Sequence, residues 1–264
     1  MKKRALSIVL IMTIVIMVLS ACSSDASQDE GSDKGNYSDE MKITPEVKLV
    51  PGAGASSFER EGDHQDSPYF PSLDFYNMQS TDSLTILPKF QTYQQTSEWS
   101  CSAVCVLMIL NYYGKLENHN EHTLAGLRPQ GAKPSPTTLK EAIHIFDEVG
   151  GFEHISTLDY GDKVKEEFTL SKIQEFLSKG IPIMICWNDW GGHWQVIIGY
   201  DTMGTESESD DVLIVADPYD TTDHNQDGYG VYSAERFINN FSTYNRFPKS
   251  EGNEALFIAA WPKQ

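Results

Sequence analysis

QTSEWSCSAVCVLMILNYYG, residues 95–114, is the segment around which the rest of this 264-residue chain can be organised. A polar loop, residues 95–100, leads into the stretch 101–113, which is apolar nearly all round and is therefore typical of a helix buried on every face. Gly114 follows, and glycine commonly ends a helix. The segment predicts a central buried helix that carries Cys101 at its N-terminal end.

Cys101 is the first candidate for chemistry. A thiol at a helix N-terminus faces the positive end of the helix dipole and unpaired N–H groups, both of which favour the thiolate. Apart from Cys22, the chain contains Cys101, Cys105 and Cys186, and an odd number leaves at least one thiol free. Cys105 lies one helical turn beyond Cys101, where core packing is expected, with a disulfide to Cys186 as the alternative.

A thiolate nucleophile needs a base and a donor for the oxyanion. Gln95 precedes Cys101 by six residues, so its amide can fold back beside the Cys101 N–H. His193 opens one apolar, strand-like run, and Asp217 closes the next. If these runs are adjacent antiparallel strands, Asp217 lies beside His193 and orients the imidazole.

The remaining pattern predicts helices before strands, which indicates an α+β domain. Amphipathic periodicity and glycine stops mark the helices, and short apolar runs mark the strands. The predicted helices are 137–149, 169–179 and 233–240, and the predicted strands are 181–187, 193–200, 211–216 and 256–261.

The combination of Gln95, Cys101, Gly192-His193 and Asp217-Pro218 resembles the papain-like cysteine peptidases. Within them, it is most similar to the double-glycine leader peptidase domains of bacteriocin exporters and their stand-alone relatives. The resemblance covers residues 84–264 and implies a Cys-bearing helix packed on an antiparallel sheet that carries His and Asp. It departs from the family pattern at Ser102, where the family usually has glycine.

The resemblance implies a thioester mechanism. Cys101 is the expected nucleophile, His193 its acid–base partner, Asp217 the residue that holds the imidazole, and Gln95 the oxyanion donor. The expected function is a membrane-anchored extracytoplasmic cysteine peptidase, a monomer that acts on a peptide or protein and requires no cofactor. Two alternatives stay open: a catalytically inactive peptide- or surface-binding lipoprotein on the same scaffold, and an acyl or amine transferase that uses the same triad.

Three tryptophans flank the predicted site. Trp187, Trp190 and Trp194 are candidates for a substrate-binding groove, and core or rim packing is an equal alternative for them.

The N-terminus predicts export and lipid anchoring. Lys2, Lys3 and Arg4 precede an apolar run, residues 5–20, that is shorter than the about 20 residues needed to span a bilayer. The run ends in Leu-Ser-Ala-Cys and resembles a bacterial lipobox, which implies lipidation at Cys22. We expect residues 1–21 to be a signal peptide, residues 22–83 a flexible acidic linker, and the protein to lie on the outer face of the bacterial cell membrane.

Charge and one loop bear on partners. The 38 Asp and Glu residues outnumber 20 Lys and Arg residues, which gives a net charge of −18 and argues against nucleic acid as a partner. Asp223, Asn225 and Asp227, followed by Gly228, match the first half of a calcium-binding loop. Ala234 cannot serve as the last ligand, so the alternatives are a structural Ca²⁺ site and a polar turn.

Overall fold

A computed structural model describes residues 54–55, 69, 71, 73–220, 227–244, 246–248, 250 and 254–264, with the side chain of Trp190 excepted. The predicted signal peptide, Cys22 and most of the predicted linker lie outside the described residues. Among the residues that are described, the helices are all too short or too polar to cross a membrane.

In the described part of the chain most of the helices precede most of the strands. In chain order its elements are β1 (Leu84–Ile86), α1 (Cys101–Tyr112), α2 (Glu121–Gly126), α3 (Leu139–Val149), β2 (Phe152–Ser156), α4 (Thr157–Tyr160), a 3-10 turn (Gly161–Lys163), α5 (Val164–Glu167), α6 (Leu170–Ser178), β3 (Ile183–Trp187), a 3-10 turn (Asp189–Gly191), β4 (His193–Asp201), β5 (Val212–Ala216), β6 (Tyr229–Ser233), α7 (Ala234–Asn240) and β7 (Leu256–Pro262).

The strands form one seven-stranded sheet in the order β2-β7-β3-β4-β5-β6, and β1 pairs with the end of β4. Every pairing is antiparallel. β4 is paired along both edges. β5 pairs with one edge, while on the other edge β3 pairs with the first half of β4 and β1 with its end. The strand that begins with His193 is therefore held on both sides.

α1 is the helix against which the sheet packs. Its first ten residues, Cys101 to Leu110, are all buried, and it lies against β4, α2 and α3. This explains the lack of a polar face in its sequence, since there is no solvent side for a polar face to occupy. The predicted α+β fold is confirmed, with a Cys-bearing helix on an antiparallel sheet.

The sequence pattern missed six short elements, which are β1, α2, β2, α4, α5 and β6. Each spans three to six residues and lacks the continuous apolar run that marks the equally short strands β3 and β5. β2 shows the cause well, because its sequence FEHIS becomes a strand by pairing with β7 along its whole length. Tertiary pairing, rather than local pattern, decides such segments.

The last part of the predicted linker, residues 22–83, packs against the domain. Phe75 is buried and its ring stacks on Tyr229 with centroids 5.4 Å apart. The backbone of Tyr76 accepts a hydrogen bond from Lys89 N at 3.2 Å. The packed domain therefore includes residues from about 73 onward, because the Phe75 side chain is buried in the core.

Leu110→Ala tests the central position of α1. Leu110 is fully buried, so we expect the substitution to lower the free energy of unfolding by about 2–5 kcal/mol through lost burial and a residual cavity. Leu158→Ala is the matched control; Leu158 is 41% exposed, and a surface substitution should change stability by about 0.5 kcal/mol or less. Urea denaturation measures both, and equal losses would contradict a core position for α1.

Candidate active site

Cys101 opens α1, at the junction between the polar loop 95–100 and the buried helix. Its thiol is free and the residue is 8% exposed. As the first residue of the helix, its N–H has no helical carbonyl to pair with. The structure thus places a thiol and an unpaired backbone donor at the same end of one helix.

His193 and Asp217 meet because β4 and β5 pair. The register sets Val196 opposite Ala216, so the start of β4 and the end of β5 lie together. The distance from His193 Nε2 to Asp217 Oδ1 is 2.6 Å, and both side chains are buried. Cys101 also interacts with the imidazole, and this interaction raises the pKa of His193. Since Nε2 pairs with Asp217, Nδ1 is the ring nitrogen that remains.

The electrostatics of this pair favour an ionised state. Burial opposes the charged imidazolium, but the Asp217 carboxylate and Cys101 more than offset it, so the pKa of His193 is raised well above its ordinary value. Burial likewise opposes the Asp217 carboxylate, yet His193 and two further hydrogen-bond donors, Tyr219 N and Gln195 Nε2, lower its pKa. Asp217 therefore remains ionised at neutral pH and holds a proton on His193.

Gln195 is a positioning residue that the sequence analysis missed. Its Nε2 donates to Asp217 Oδ2 at 2.7 Å and its Oε1 accepts a hydrogen bond from Trp187 Nε1 at 2.8 Å. Tyr232 and Asp189 complete the network around the same amide. A signal existed, because Gln195 is a polar residue inside an apolar run, two positions after His193 and so on the same face of β4.

The site has two walls: the loop 95–100 before Cys101, and the ends of β4 and β5 with the segment that follows Asp217. Gln95 joins these two walls. Its backbone N–H donates to the carbonyl of Pro218 at 2.8 Å, which ties the loop before Cys101 to the segment after Asp217. Its side chain is buried, and Nε2 donates one proton to the carbonyl of Ser97 at 2.7 Å. The second amide proton has no such partner among the hydrogen bonds of the described residues, so one donor remains for an oxyanion.

A buried carboxylate fixes the loop that carries Gln95. Glu121, the first residue of α2, accepts hydrogen bonds from the backbone N–H of Thr96 at 2.9 Å and from the hydroxyls of Thr96 and Ser100. Burial raises the pKa of Glu121, and these hydrogen bonds oppose the rise. The sequence analysis did not single out Glu121, because nothing local distinguishes it from a helix-start residue in a polar loop.

The three tryptophans do not share one role. Trp194 is 1% exposed and its Nε1 donates to the carbonyl of Thr137 at 2.9 Å, so the prediction that it lines a substrate groove is wrong: it packs in the core. Trp187 is half-buried and supports Gln195 rather than standing free in a groove. The Trp190 side chain lies outside the described part of the structure.

Cys105 and Cys186 are free and fully buried, so the alternative of a disulfide between them is wrong. Burial raises the pKa of each thiol well above its ordinary value. Both are therefore neutral and inaccessible, which separates them chemically from Cys101.

The calcium prediction falls mostly outside the described residues, because Asp223 and Asn225 lie there. Asp227 is described; its Oδ1 accepts a hydrogen bond from Tyr229 N at 3.0 Å and its carbonyl accepts one from Thr92 Oγ1 at 2.7 Å. Within the described ranges, no group of three or more His, Cys, Asp or Glu side chains is placed to hold a metal ion. Structural Ca²⁺ binding stays a prediction.

Comparison with known proteins gives one family. The sequence model of the Peptidase_C39 like family matches residues 87–249, the range that contains every residue of the site described above. A crystal structure of a double glycine motif protease from an AMS/PCAT transporter, in complex with the leader peptide, is similar at 18% identity over 69% of this chain and 96% of that chain, with a TM-score of 0.37. No curated protein matches the chain.

Asp217→Asn tests the ion pair through the pH dependence of stability. The pKa of His193 is raised on folding, so its contribution is complete below its ordinary value of 6.5 and is lost as the pH rises through the folded value. The pKa of Asp217 is lowered, so its contribution is present above 3.8 and is lost as the pH falls through the folded value. We therefore expect the variant to be less stable than the wild type between these limits, and the difference to shrink outside them.

Urea unfolding from pH 3 to pH 10, in about one-unit steps, measures this difference. Asp147→Asn is the control, because it removes an exposed pair with His154 at 3.5 Å whose contribution should be small. A difference between wild type and Asp217→Asn that does not change with pH would contradict the ionised pair.

Proposed function

The chain belongs to the Peptidase_C39 like family, and on that premise we propose that it is a cysteine peptidase that hydrolyses peptide bonds through a thioester on Cys101. The observation that carries the proposal is the buried His193–Asp217 pair at 2.6 Å with Cys101 as the other partner of the imidazole. A protein that only binds peptides has no need for an imidazolium held beside a thiol.

Acylation follows from this geometry. The Cys101 thiolate attacks the carbonyl carbon of the scissile bond, and a C–S bond forms as the carbonyl oxygen becomes an oxyanion. The Cys101 N–H and the remaining amide proton of Gln95 stabilise that oxyanion. The His193 imidazolium then gives its proton to the leaving nitrogen, the C–N bond breaks, and the amine product departs.

Deacylation reverses these roles. Neutral His193 takes a proton from water, and the hydroxide attacks the thioester carbon. The C–S bond breaks, Cys101 leaves as the thiolate, and His193 is again protonated. Throughout both steps Asp217 keeps the imidazole in place, and Gln195 holds Asp217 from its second oxygen.

We also propose that the domain is anchored by lipid at Cys22 on the outer face of the bacterial cell membrane. The support is the sequence: a basic start, a short apolar run and a small-residue lipobox that ends at Cys22. Several acyl chains on one residue provide stable attachment, which a single chain does not. Residues between Cys22 and the packed domain then serve as the tether.

Peptide digestion by the full-length chain in detergent tests the activity. We expect cleavage of a peptide library, with His193→Ala lowering kcat/KM by about 10²–10⁴-fold because general acid–base catalysis is lost. Cys101→Ala should abolish cleavage, and Cys105→Ala, one turn further along α1, should retain it. The readout is mass spectrometry of the products.

Other outcomes separate the alternatives. Incorporation of an added amine without hydrolysis would favour a transferase, because both reactions share the thioester and differ only in the second substrate. Slow alkylation of Cys101 that does not respond to His193→Ala would contradict the thiolate–imidazolium pair and favour a binding protein.

Cys22→Ala tests the anchor. The variant cannot carry a thioether-linked lipid, so we expect it to lose metabolically incorporated palmitate and to shift on gels to the unprocessed form. Ser24→Ala, two residues away, is the matched control and should be labelled like the wild type. Equal palmitate labelling of Cys22→Ala and wild type would contradict lipidation at this residue.

A further inference from the structure

Two residues far upstream of the catalytic domain's first strand are bound to its catalytic loop. Gly54 and Ala55 are both buried, although they lie in a Pro- and Gly-containing stretch that was expected to be part of a linker. Ala55 N donates to the carbonyl of Gln95 at 2.9 Å, and Gly54 N donates to Glu98 Oε1 at 3.0 Å. Main-chain donors of one segment thus pair with the loop that precedes Cys101.

The contact requires glycine. Gly54 has φ +72°, in the left-handed region, and a Cβ placed there would lie 2.5 Å from both the carbonyl oxygen of Gln95 and the backbone nitrogen of Ser97. These are backbone atoms of a loop that Glu121 holds, so they cannot move aside as a flexible side chain would. Two backbones are therefore in direct contact at this point.

The segment lies where the two walls of the site meet. Glu98, which binds Gly54 through Oε1, accepts a hydrogen bond from the Tyr219 hydroxyl through Oε2 at 2.9 Å. Tyr219 N donates to Asp217 Oδ1 at 2.7 Å, and the Tyr219 ring lies edge-on to His193 with centroids 6.3 Å apart. One carboxylate therefore links the bound segment to the wall that carries the acid–base pair.

A peptide substrate must use the same loop. In the proposed mechanism, which this inference builds on, the scissile carbonyl lies at Cys101 with its oxygen toward the Gln95 amide. Cys101 and His193 are only 8% and 4% exposed in the structure, so the site as it stands offers little access to a substrate. Gly54 and Ala55 bind this same loop, at the carbonyl of Gln95 and at the Glu98 carboxylate.

We propose that the Gly54–Ala55 segment is an intramolecular ligand of the substrate cleft, and that it holds the site closed until a substrate displaces it. The closed form binds the segment through two backbone donors and the absence of a side chain at Gly54. In sequence, the segment lies between the proposed lipid anchor at Cys22 and the packed domain. The same stretch of chain would therefore act both as part of the tether and as the element that limits access to Cys101.

Gly54→Val tests this proposal, with Gly204→Val as the matched control. Gly204 has the same φ of +72°, but no atom lies within 4 Å of a Cβ placed on it. The readout is the rate of Cys101 alkylation by iodoacetamide on the full-length chain, followed by mass spectrometry. We expect Gly54→Val to raise the rate at least about tenfold, because a mostly closed wild type has about a tenth or less of its molecules open.

The two buried thiols report on folding in the same spectra. Cys105 and Cys186 should stay unmodified in both variants, and their modification would identify an unfolded sample. A synthetic peptide of residues 50–58, VPGAGASSF, then provides the second measurement. Added to the wild type or to Gly54→Val, it should slow alkylation of Cys101 if it competes for the same place, and the same peptide with valine at the Gly54 position should not.

Alkylation at the same rate in wild type and both glycine variants, with no effect of the peptide, would overturn the proposal and leave the contact as a purely structural clip. The readout does not depend on hydrolysis. A faster reaction in Gly54→Val without any peptide cleavage would support the closed site while contradicting the peptidase assignment. Peptide cleavage with no difference in the alkylation rate of Cys101 between wild type and Gly54→Val would support the peptidase assignment and contradict the closed site.

Discussion

The buried pair of His193 and Asp217 is the constraint on which the rest of the structure depends. A charged imidazole and a carboxylate are stable away from water only when their geometry is fixed and their remaining hydrogen-bonding sites are filled. Strand pairing between β4 and β5 fixes the geometry, and Gln195 and the Tyr219 N–H fill the sites on the carboxylate. The central position of β4, held on both edges, keeps the imidazole aimed at the helix that carries Cys101.

The second wall of the site is built from main chain and one more buried carboxylate. In the loop before Cys101, Glu121 accepts hydrogen bonds from the backbone N–H of Thr96 and from the hydroxyl of Ser100. The backbone N–H of Gln95 donates to the carbonyl of Pro218 and so connects that loop to the other wall. A loop fixed in this way presents a rigid backbone surface. Gly54 fits against this surface because it has no side chain, whereas a Cβ at that position would lie 2.5 Å from backbone atoms of Gln95 and Ser97. We therefore regard the contact as selective for glycine.

The three cysteines in the described part of the chain are all free thiols, and they lie in different environments within one fold. Cys105 and Cys186 are enclosed by apolar side chains, where a thiolate is unfavourable, and they act as small core residues. Cys101 differs because it begins a helix and lies beside an imidazole whose protonated form is stabilised by Asp217 and by Cys101 itself. The proposed chemistry of this protein therefore rests on one residue's place at the junction of loop and helix.

Residue pattern alone was sufficient for the α+β fold, the buried helix and the strands with continuous apolar runs, because such a run is a local property of the sequence. It also indicated Gln95, Cys101, His193 and Asp217 as a group, since a polar residue at the end of an apolar run is visible in the chain. Gln195 was visible as a polar residue inside an apolar run, but its contact with Asp217 required the tertiary structure. So did the contacts of Glu121, the core position of Trp194, the packing of Phe75 on Tyr229 and the binding position of Gly54. Each of these contacts joins segments that are far apart in the chain, and local sequence does not determine which distant segments meet.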